Sequence, residues 1–183
     1  MELSKHDFHR LSEPAVASPF KLKKILVPTD FSACSKKALQ YAVPFAKQFN
    51  AALVLLNVVR RRNAMDGETY PVDCQLKVET SLRKNAEREL KELASEFPLH
   101  EVPVQIETCL GATAVEIAAE AKNLQADLIV ISTHGRTGRP HALAGSVAEN
   151  LVQLAPCPVL VVREHEHEFI TGEAANPYSK ADS

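Results

Sequence analysis

Short β-rich runs alternate with amphipathic stretches along the chain from Lys23 onwards. Several of the runs are apolar without alternation, which is typical of strands buried on both faces of a parallel sheet. The runs span Lys23–Thr29, Ala52–Val59, Val102–Cys109, Ala126–Ser132 and Pro158–Arg163. Strands that alternate with helices imply right-handed crossover connections, so the pattern predicts a doubly wound α/β sheet.

Four intervening stretches carry apolar residues at helical spacing, which predicts four amphipathic helices. Their apolar stripes are Ala38, Ala42, Phe45, Ala46 and Phe49; Leu82, Ala86, Leu90, Leu93 and Phe97; Ala114, Ile117, Ala118, Ala121 and Leu124; and Val147, Leu151 and Leu154. Thr113-x-x-Glu116 and Ser146-x-x-Glu149 fit the capping box and predict two helix starts. Pro44 lies inside the first helix, where we expect a kink because proline removes a helical hydrogen bond.

Composition and charge divide the chain into a core and two appendages. The 183 residues are enough for one domain with a real core, and 45% hydrophobic with 24% charged residues is ordinary globular composition. The net charge of −2 combines a mildly basic stretch at 21–163 with an acidic one at 164–183. We therefore predict an N-terminal extension at 1–20, one domain at 21–163 and a flexible acidic tail at 164–183.

The same composition argues against several classes of protein. The chain lacks the strong basic stripe of a dedicated nucleic-acid binder, and no apolar run approaches the roughly 20 residues that span a membrane. No apolar signal region is visible near the N-terminus, so we expect a cytoplasmic protein without a membrane or nucleic-acid partner. The four cysteines are widely spaced, which favours reduced thiols over a disulfide framework or a zinc site.

Ligands of an open parallel sheet bind beyond the carboxyl ends of its strands, where the strand order reverses. The residues at these ends are Pro28, Thr29, Asp30, Val58, Ser132, Thr133, His134, Gly135, Arg136, Thr137, Gly138, Gly145 and Ser146. Gly135 and Gly138 let backbone amides approach an anion, and a helix that begins near Ser146 adds oriented N–H groups. With the charges of Arg136 and Arg139, the loop is interpreted as a phosphate cradle. Alternatively, the glycines only shape turns and Ser146 only caps a helix.

Other nucleotide and hydrolase motifs are missing from the sequence. There is no G-x-x-x-x-G-K-[ST] loop, no G-x-G-x-x-G after the first strand and no G-x-S-x-G around Ser146. Nothing marks a pair of magnesium-holding carboxylates or an activated nucleophile, which phosphoryl transfer would need. The residues therefore favour binding over catalysis, and we expect no enzyme.

At these residues the chain resembles the universal stress protein family. The family's nucleotide-binding members show the pattern G-x2-G-x9-G-[ST], and residues 132–146 read S-x2-G-x9-G-S. The opening segment 28–32 (PTDFS) and the closing segment 155–162 (APCPVLVV) also match. The resemblance covers nearly all of 23–163, with its motifs in order and at the right spacing.

The resemblance implies a five-stranded parallel sheet in the order 3-2-1-4-5 with helices on both faces, of the adenine-nucleotide α-hydrolase-like type. It implies a dimer that binds ATP, with or without Mg²⁺. By position, Asp30 would face the adenine or ribose, and Val58 would bond the adenine through its backbone. The loop 135–138 would hold ribose and phosphates together with Gly145, Ser146 and Val147.

These inferences predict a stress-response module whose nucleotide state regulates its dimer or its contacts with protein partners, which the sequence does not name. Ser132 stands where the family pattern has its first glycine. This departure keeps a second function open, a partner-binding dimer that takes no nucleotide. A weak ATP hydrolase is the third alternative.

The last strand, Pro158–Val162, is expected at an edge of the sheet. An apolar edge strand must be protected or paired, so we predict a homodimer with this strand at its interface.

Three further segments carry weaker signals of function. The basic run Arg60-Arg61-Arg62 is interpreted as solvated charge, since it is shorter than the basic patches that bind nucleic acid. His165-Glu166-His167-Glu168 is interpreted as a solvated tail rather than a metal site. The long irregular stretch Arg60–Asp73 is expected to be functional or mobile.

Overall fold

The computed structural model describes residues 21–60, 72–97, 99, 101–133 and 146–163, with the side chains at 72, 73 and 75 left aside. Strands and helices alternate in these ranges. They are β1 (Lys24–Pro28), α1 (Ala33–Phe49), β2 (Ala52–Val59), α2 (Val72–Glu96), β3 (Val104–Leu110), α3 (Thr113–Asn123), β4 (Leu128–Ser132), α4 (Ser146–Leu154) and β5 (Val159–Val162). The predicted strands and helices are confirmed, with strand bounds that differ by at most two residues.

The five strands form one parallel sheet in the order β3-β2-β1-β4-β5. The predicted fold class and strand order are therefore confirmed. From β1 the chain moves outward to β2 and β3 and then returns to the other side of β1 to form β4 and β5. The strand order reverses between β1 and β4, and β5 lies at a sheet edge, as expected.

Each face of the sheet is covered by one pair of helices. Ile25, Val27 and Leu55 point to the face that packs against α1 and α2. Leu26 and Leu56 point to the opposite face, which packs against α3 and α4. Both faces are therefore dry, and this explains why β1 and β2 read as continuous apolar runs.

Helix α1 has a local cap at each end. The hydroxyl of Ser32 accepts a hydrogen bond from the backbone N–H of Ser35 at 3.2 Å, which satisfies a donor of the first turn. Asn50 ends the helix in the left-handed conformation (φ 52°). The helix continues through Pro44, and the kink expected there stays a prediction.

The capping box predicted at Thr113 is wrong. The N-cap of α3 is Ala112, which makes no side-chain cap, and Thr113 is the first helical residue. Gly111 precedes the cap with φ 152°, and the carboxylate of Glu116 packs where a Cβ of Gly111 would lie. The acid of the expected capping box therefore packs against a glycine. The residue before Ser146 lies outside the described part of the chain, so the second capping box stays a prediction.

Two residues of the predicted apolar stripes are exposed, Leu82 at 40% and Leu154 at 51%. Leu82 lies where α2 faces an open space at the carboxyl edge of the sheet. The 25 residues of α2 extend about 37 Å, whereas the eight residues of β2 extend about 26 Å. Because α2 runs back from the carboxyl edge of the sheet, its first turns lie beyond that edge.

None of the described helices is both long and apolar enough to cross a membrane.

Candidate functional site

A cavity of about 530 Å³ lies at the carboxyl ends of β1, β2 and β4, where the strand order reverses. Its volume falls within the roughly 300–1,000 Å³ of pockets that hold small molecules and cofactors. The ends of the three strands form its floor, and residues of α2, α3 and α4 contribute to its walls.

The structure brings all of the described candidate residues around this one cavity. Eight of them line it: Pro28, Thr29, Asp30, Val58, Ser132, Thr133, Ser146 and Val147. Six others lie outside the described residues: His134, Gly135, Arg136, Thr137, Gly138 and Gly145. Arg139 also lies there, as do 61–71 of the long irregular stretch and the acidic tail.

Thr29 shapes the turn after β1. Its backbone N–H donates to the carbonyl of Leu56 at 2.9 Å, which continues the pairing of β1 with β2. Its hydroxyl is hydrogen-bonded to the hydroxyl of Ser35 at 2.9 Å and accepts from the N–H of Phe31 at 3.0 Å. Phe31 has φ 65°, a conformation rare for an aromatic residue. The buried Thr29 hydroxyl therefore serves the turn that presents Asp30 to the cavity.

Asp30 is half-buried and is held by the start of α1. Its Oδ1 accepts from the backbone N–H of Ser32 at 3.1 Å and from the Ser32 hydroxyl at 2.6 Å. These bonds close a local turn of the kind that aspartate side chains make. An ionised carboxylate only accepts hydrogen bonds, so Asp30 provides an acceptor for hydroxyl or amino groups of a ligand.

Asn57 is a buried polar residue of β2 that the sequence analysis did not select. Its Nδ2 donates to the carbonyl oxygen of Thr29 at 2.7 Å, which ties the ends of β1 and β2 together beside Val58. The signal was present in the sequence, since Asn57 is the one polar residue of an otherwise apolar run. Such a residue needs a partner when it is buried.

One wall of the cavity comes from α2 and was also missed. Leu82, Asn85, Ala86 and Glu89 line it. Their spacing of i, i+3, i+4 and i+7 puts them on one helix face. Leu82 and Ala86 were predicted as core residues, and the two polar residues on the same face were the available signal that this face meets a cavity.

Arg60 lies directly after β2 and lines the cavity as well. It is exposed, as expected for the basic run, but its Nε also donates to the hydroxyl of Thr113 at 3.3 Å. This contact joins the end of β2 to the first turn of α3. Arg61 and Arg62 lie outside the described residues.

A second cavity, of about 600 Å³, lies between the start of α3 and helix α4. Arg60, Thr113, Ser146 and Val147 line both cavities. The two spaces therefore adjoin at these four residues, which we call the junction.

The thiols of Cys109 and Cys157 are poor nucleophiles. Burial raises the pKa of the Cys109 thiol to about 11, and the carboxylates of Glu116 and Glu120 add to this effect. Burial also raises the pKa of Cys157, with a further contribution from Asp127. Both thiols are therefore protonated at neutral pH. Within the described ranges, no three or more His, Cys, Asp or Glu side chains group as metal ligands.

Comparisons with a family model and with known sequences both find universal stress proteins. The model of the universal stress protein family matches residues 21–163. The universal stress protein MJ0531 of Methanocaldococcus jannaschii is 35% identical over 150 residues, which are 80% of this chain and 85% of that protein. The solved structure of the hypothetical protein MJ0577 has a TM-score of 0.70 and 28% identity over 81% of this chain and 100% of its own. A universal stress protein solved in complex with cAMP shares the fold, with a TM-score of 0.55 and 22% identity over 79% of this chain and 98% of its own.

Proposed function

The chain belongs to the universal stress protein family, and on that premise we propose that it binds an adenine nucleotide, with ATP as the ligand, in the cavity at the carboxyl ends of β1, β2 and β4. The bound nucleotide regulates the chain's contacts with its own second copy or with protein partners. The proposal is a cytoplasmic regulated binding module rather than an enzyme.

The observation that carries the proposal is the convergence of separate segments on one cavity. Residues 28–30, 58, 132–133 and 146–147 are far apart in the sequence, and all line it. In the proposed complex, the Asp30 carboxylate accepts hydrogen bonds from the ribose hydroxyls or the adenine amino group. The backbone of Val58 bonds the adenine, and the phosphates lie near Ser146 and Val147 at the start of α4.

The known relatives support an adenine nucleotide as the class of ligand. The universal stress protein solved with cAMP has the same fold, so this architecture can hold an adenine base, a ribose and a phosphate. ATP and an accompanying Mg²⁺ rest on the resemblance of residues 132–146 to the family's nucleotide-binding pattern.

The charged side chains that line the cavity favour binding over catalysis. Among its described lining residues the carboxylates are those of Asp30 and Glu89. Asp30 accepts two hydrogen bonds from Ser32, which hold its carboxylate in place as an acceptor for a ligand.

The binding proposal is tested by isothermal titration of nucleotide-stripped protein with ATP, ADP and AMP. We expect saturable heat with ATP, and an affinity at least about tenfold weaker for Asp30→Ala, which removes a charged acceptor from the ligand. Glu87→Gln is the matched control, because Glu87 is exposed on α2 and does not line the cavity. Absence of heat with all three nucleotides at high protein concentration would sink the proposal.

A second candidate function is a partner-binding dimer that takes no nucleotide. One observation favours it: Ser132 adds a side chain at a lining position where the family pattern has glycine. The dimer, which both functions include, is proposed at β5 because it is an apolar edge strand with three half-buried side chains. We expect a homodimer through β5, in which Val161→Lys gives a monomeric mass by light scattering at micromolar concentration. A monomeric mass for the unaltered chain would count against this interface.

A further inference from the structure

The junction between the two cavities contains a cation that the sequence interpretation treated as solvated charge. Arg60 lines both cavities and is the positively charged residue among the described residues around them. Its guanidinium is held by the bond from Nε to the Thr113 hydroxyl at 3.3 Å. A guanidinium has five N–H donors in a rigid fork, and this bond uses one of them.

The charges around the two cavities are unevenly placed. The carboxylates of Asp30 and Glu89 belong to the start of α1 and to α2, which pack on one face of the sheet. Arg60 is bonded to α3, which packs on the other face. The phosphate groups of a ligand in the first cavity are therefore repelled from the side of Asp30 and Glu89 and attracted towards Arg60.

The second cavity offers room for a row of phosphate groups. Apart from Arg60, its described lining residues carry no formal charge, and they include the amide side chains of Asn150 and Gln153. Ser146 and Val147, beside which the proposed phosphates lie, are also junction residues. A nucleotide whose first phosphate lies near Ser146 therefore has room for its outer phosphates beside Arg60 in the second cavity.

We propose that Arg60, positioned by Thr113, binds the outer phosphates of the nucleotide and makes the site select ATP over AMP. This inference rests on the proposed adenine-nucleotide function and adds its phosphate selectivity. The single phosphate of AMP remains near Ser146, whereas the β- and γ-phosphates reach Arg60. Arginine suits this position because its planar fork can bond two phosphate oxygens at once.

The test compares the affinities of ATP and AMP by isothermal titration for the unaltered chain, Arg60→Gln and Arg60→Lys. Removal of an exposed guanidinium–phosphate contact is expected to weaken ATP about tenfold and AMP less than about twofold. Arg60→Lys keeps the charge but not the fork, so ATP weakens about threefold. Arg88→Gln is the matched control, because Arg88 is exposed on α2 and lines neither cavity.

Thr113→Val distinguishes positioning from direct binding. It removes the hydroxyl that accepts from Arg60, so it should weaken ATP about threefold in the unaltered background and leave ATP binding unchanged in the Arg60→Gln background. Urea denaturation of each variant verifies that it is folded. An equal effect of Thr113→Val in both backgrounds would overturn its role as a positioning residue for Arg60.

The outcomes separate this inference from the function on which it rests. If the unaltered chain binds neither ATP nor AMP, the proposed function fails and the role of Arg60 fails with it. If the chain binds nucleotide but Arg60→Gln weakens ATP and AMP equally, or weakens neither, the proposed function stands and only the assignment of Arg60 is overturned.

Discussion

Two aspartates at opposite edges of the same sheet accept a similar set of hydrogen bonds but act differently. At the amino edge, Asp127 Oδ2 accepts from the backbone N–H groups of Lys23 and Lys24 at 2.7 and 2.9 Å, 104 and 103 positions away in sequence. At the carboxyl edge, Asp30 Oδ1 accepts from Ser32, two positions away. Asp127 therefore joins β1 to the start of β4, whereas Asp30 shapes its own turn and faces the cavity.

The comparison shows what makes an acidic residue structural or functional in this fold. The amino edge is closed by long-range bonds, and the Lys24 ammonium adds one to the carbonyl of Leu124 at 2.8 Å. The carboxyl edge also has long-range bonds, from Asn57 to Thr29 and from Arg60 to Thr113. Asp30 differs from Asp127 because the bonds that it accepts from Ser32 belong to its own turn, beside a cavity.

The largest expected effect is on the reaction rate of the Cys109 thiol. Because the pKa of Cys109 is raised to about 11, its thiolate fraction at pH 8 is about a hundredfold below that of a thiol with the ordinary value near 9. In a variant that keeps only Cys109, reaction with a disulfide reagent should be correspondingly slow and should accelerate about tenfold per pH unit between pH 8 and 10.

A variant that keeps only the exposed Cys74 serves as the comparison for Cys109. Equal rates for the two variants at pH 8 would contradict the burial of the Cys109 thiol at the carboxyl end of β3.

The next effect is on stability at the amino edge. Asp127→Ala removes the acceptor for two backbone N–H groups, so the free energy of unfolding should fall by about 2 kcal/mol. Urea denaturation measures this change, and nucleotide affinity of the folded variant should stay as it was. A change below about 0.5 kcal/mol would show that solvent replaces these bonds.

At the carboxyl edge we expect the reverse, a larger effect on nucleotide affinity than on stability. Asp30→Ala should lower the free energy of unfolding by less than about 1 kcal/mol, because the bonds from Ser32 that it loses belong to a local turn. The variant should nevertheless lose most of its nucleotide affinity. If Asp30→Ala destabilises the fold as much as Asp127→Ala does, Asp30 is a structural residue like Asp127, and the proposed difference between the two edges is wrong.

The smallest effect is expected at Ser132, which lines the cavity. Ser132→Gly restores the family's glycine and removes a side chain from a place of close approach, so ATP affinity should rise about threefold. Ser132→Ala is the control, because it keeps the Cβ and loses the hydroxyl. A loss of affinity in both variants would show instead that the hydroxyl of Ser132 binds the ligand.

The candidate site was predictable where function follows from position along a strand. Asp30, Val58 and Ser132 were selected because parallel strands present their carboxyl ends at one edge. The wall formed by Asn85 and Glu89 was not predicted, since the helical pattern does not show how far α2 extends past the sheet. The contact of Arg60 with Thr113 joins residues 53 positions apart, and no local pattern signals it.

By itself, the sequence determined the alternation of strands and helices and the residues at the strand ends. Burial on both faces makes β1 and β2 apolar throughout, and helical burial leaves a 3.6-residue stripe. Only the tertiary structure decided which charged side chains work together. The roles of Asp127 and Arg60 depend on partners brought from distant parts of the chain, and charges act through their distances in space rather than their separation in sequence.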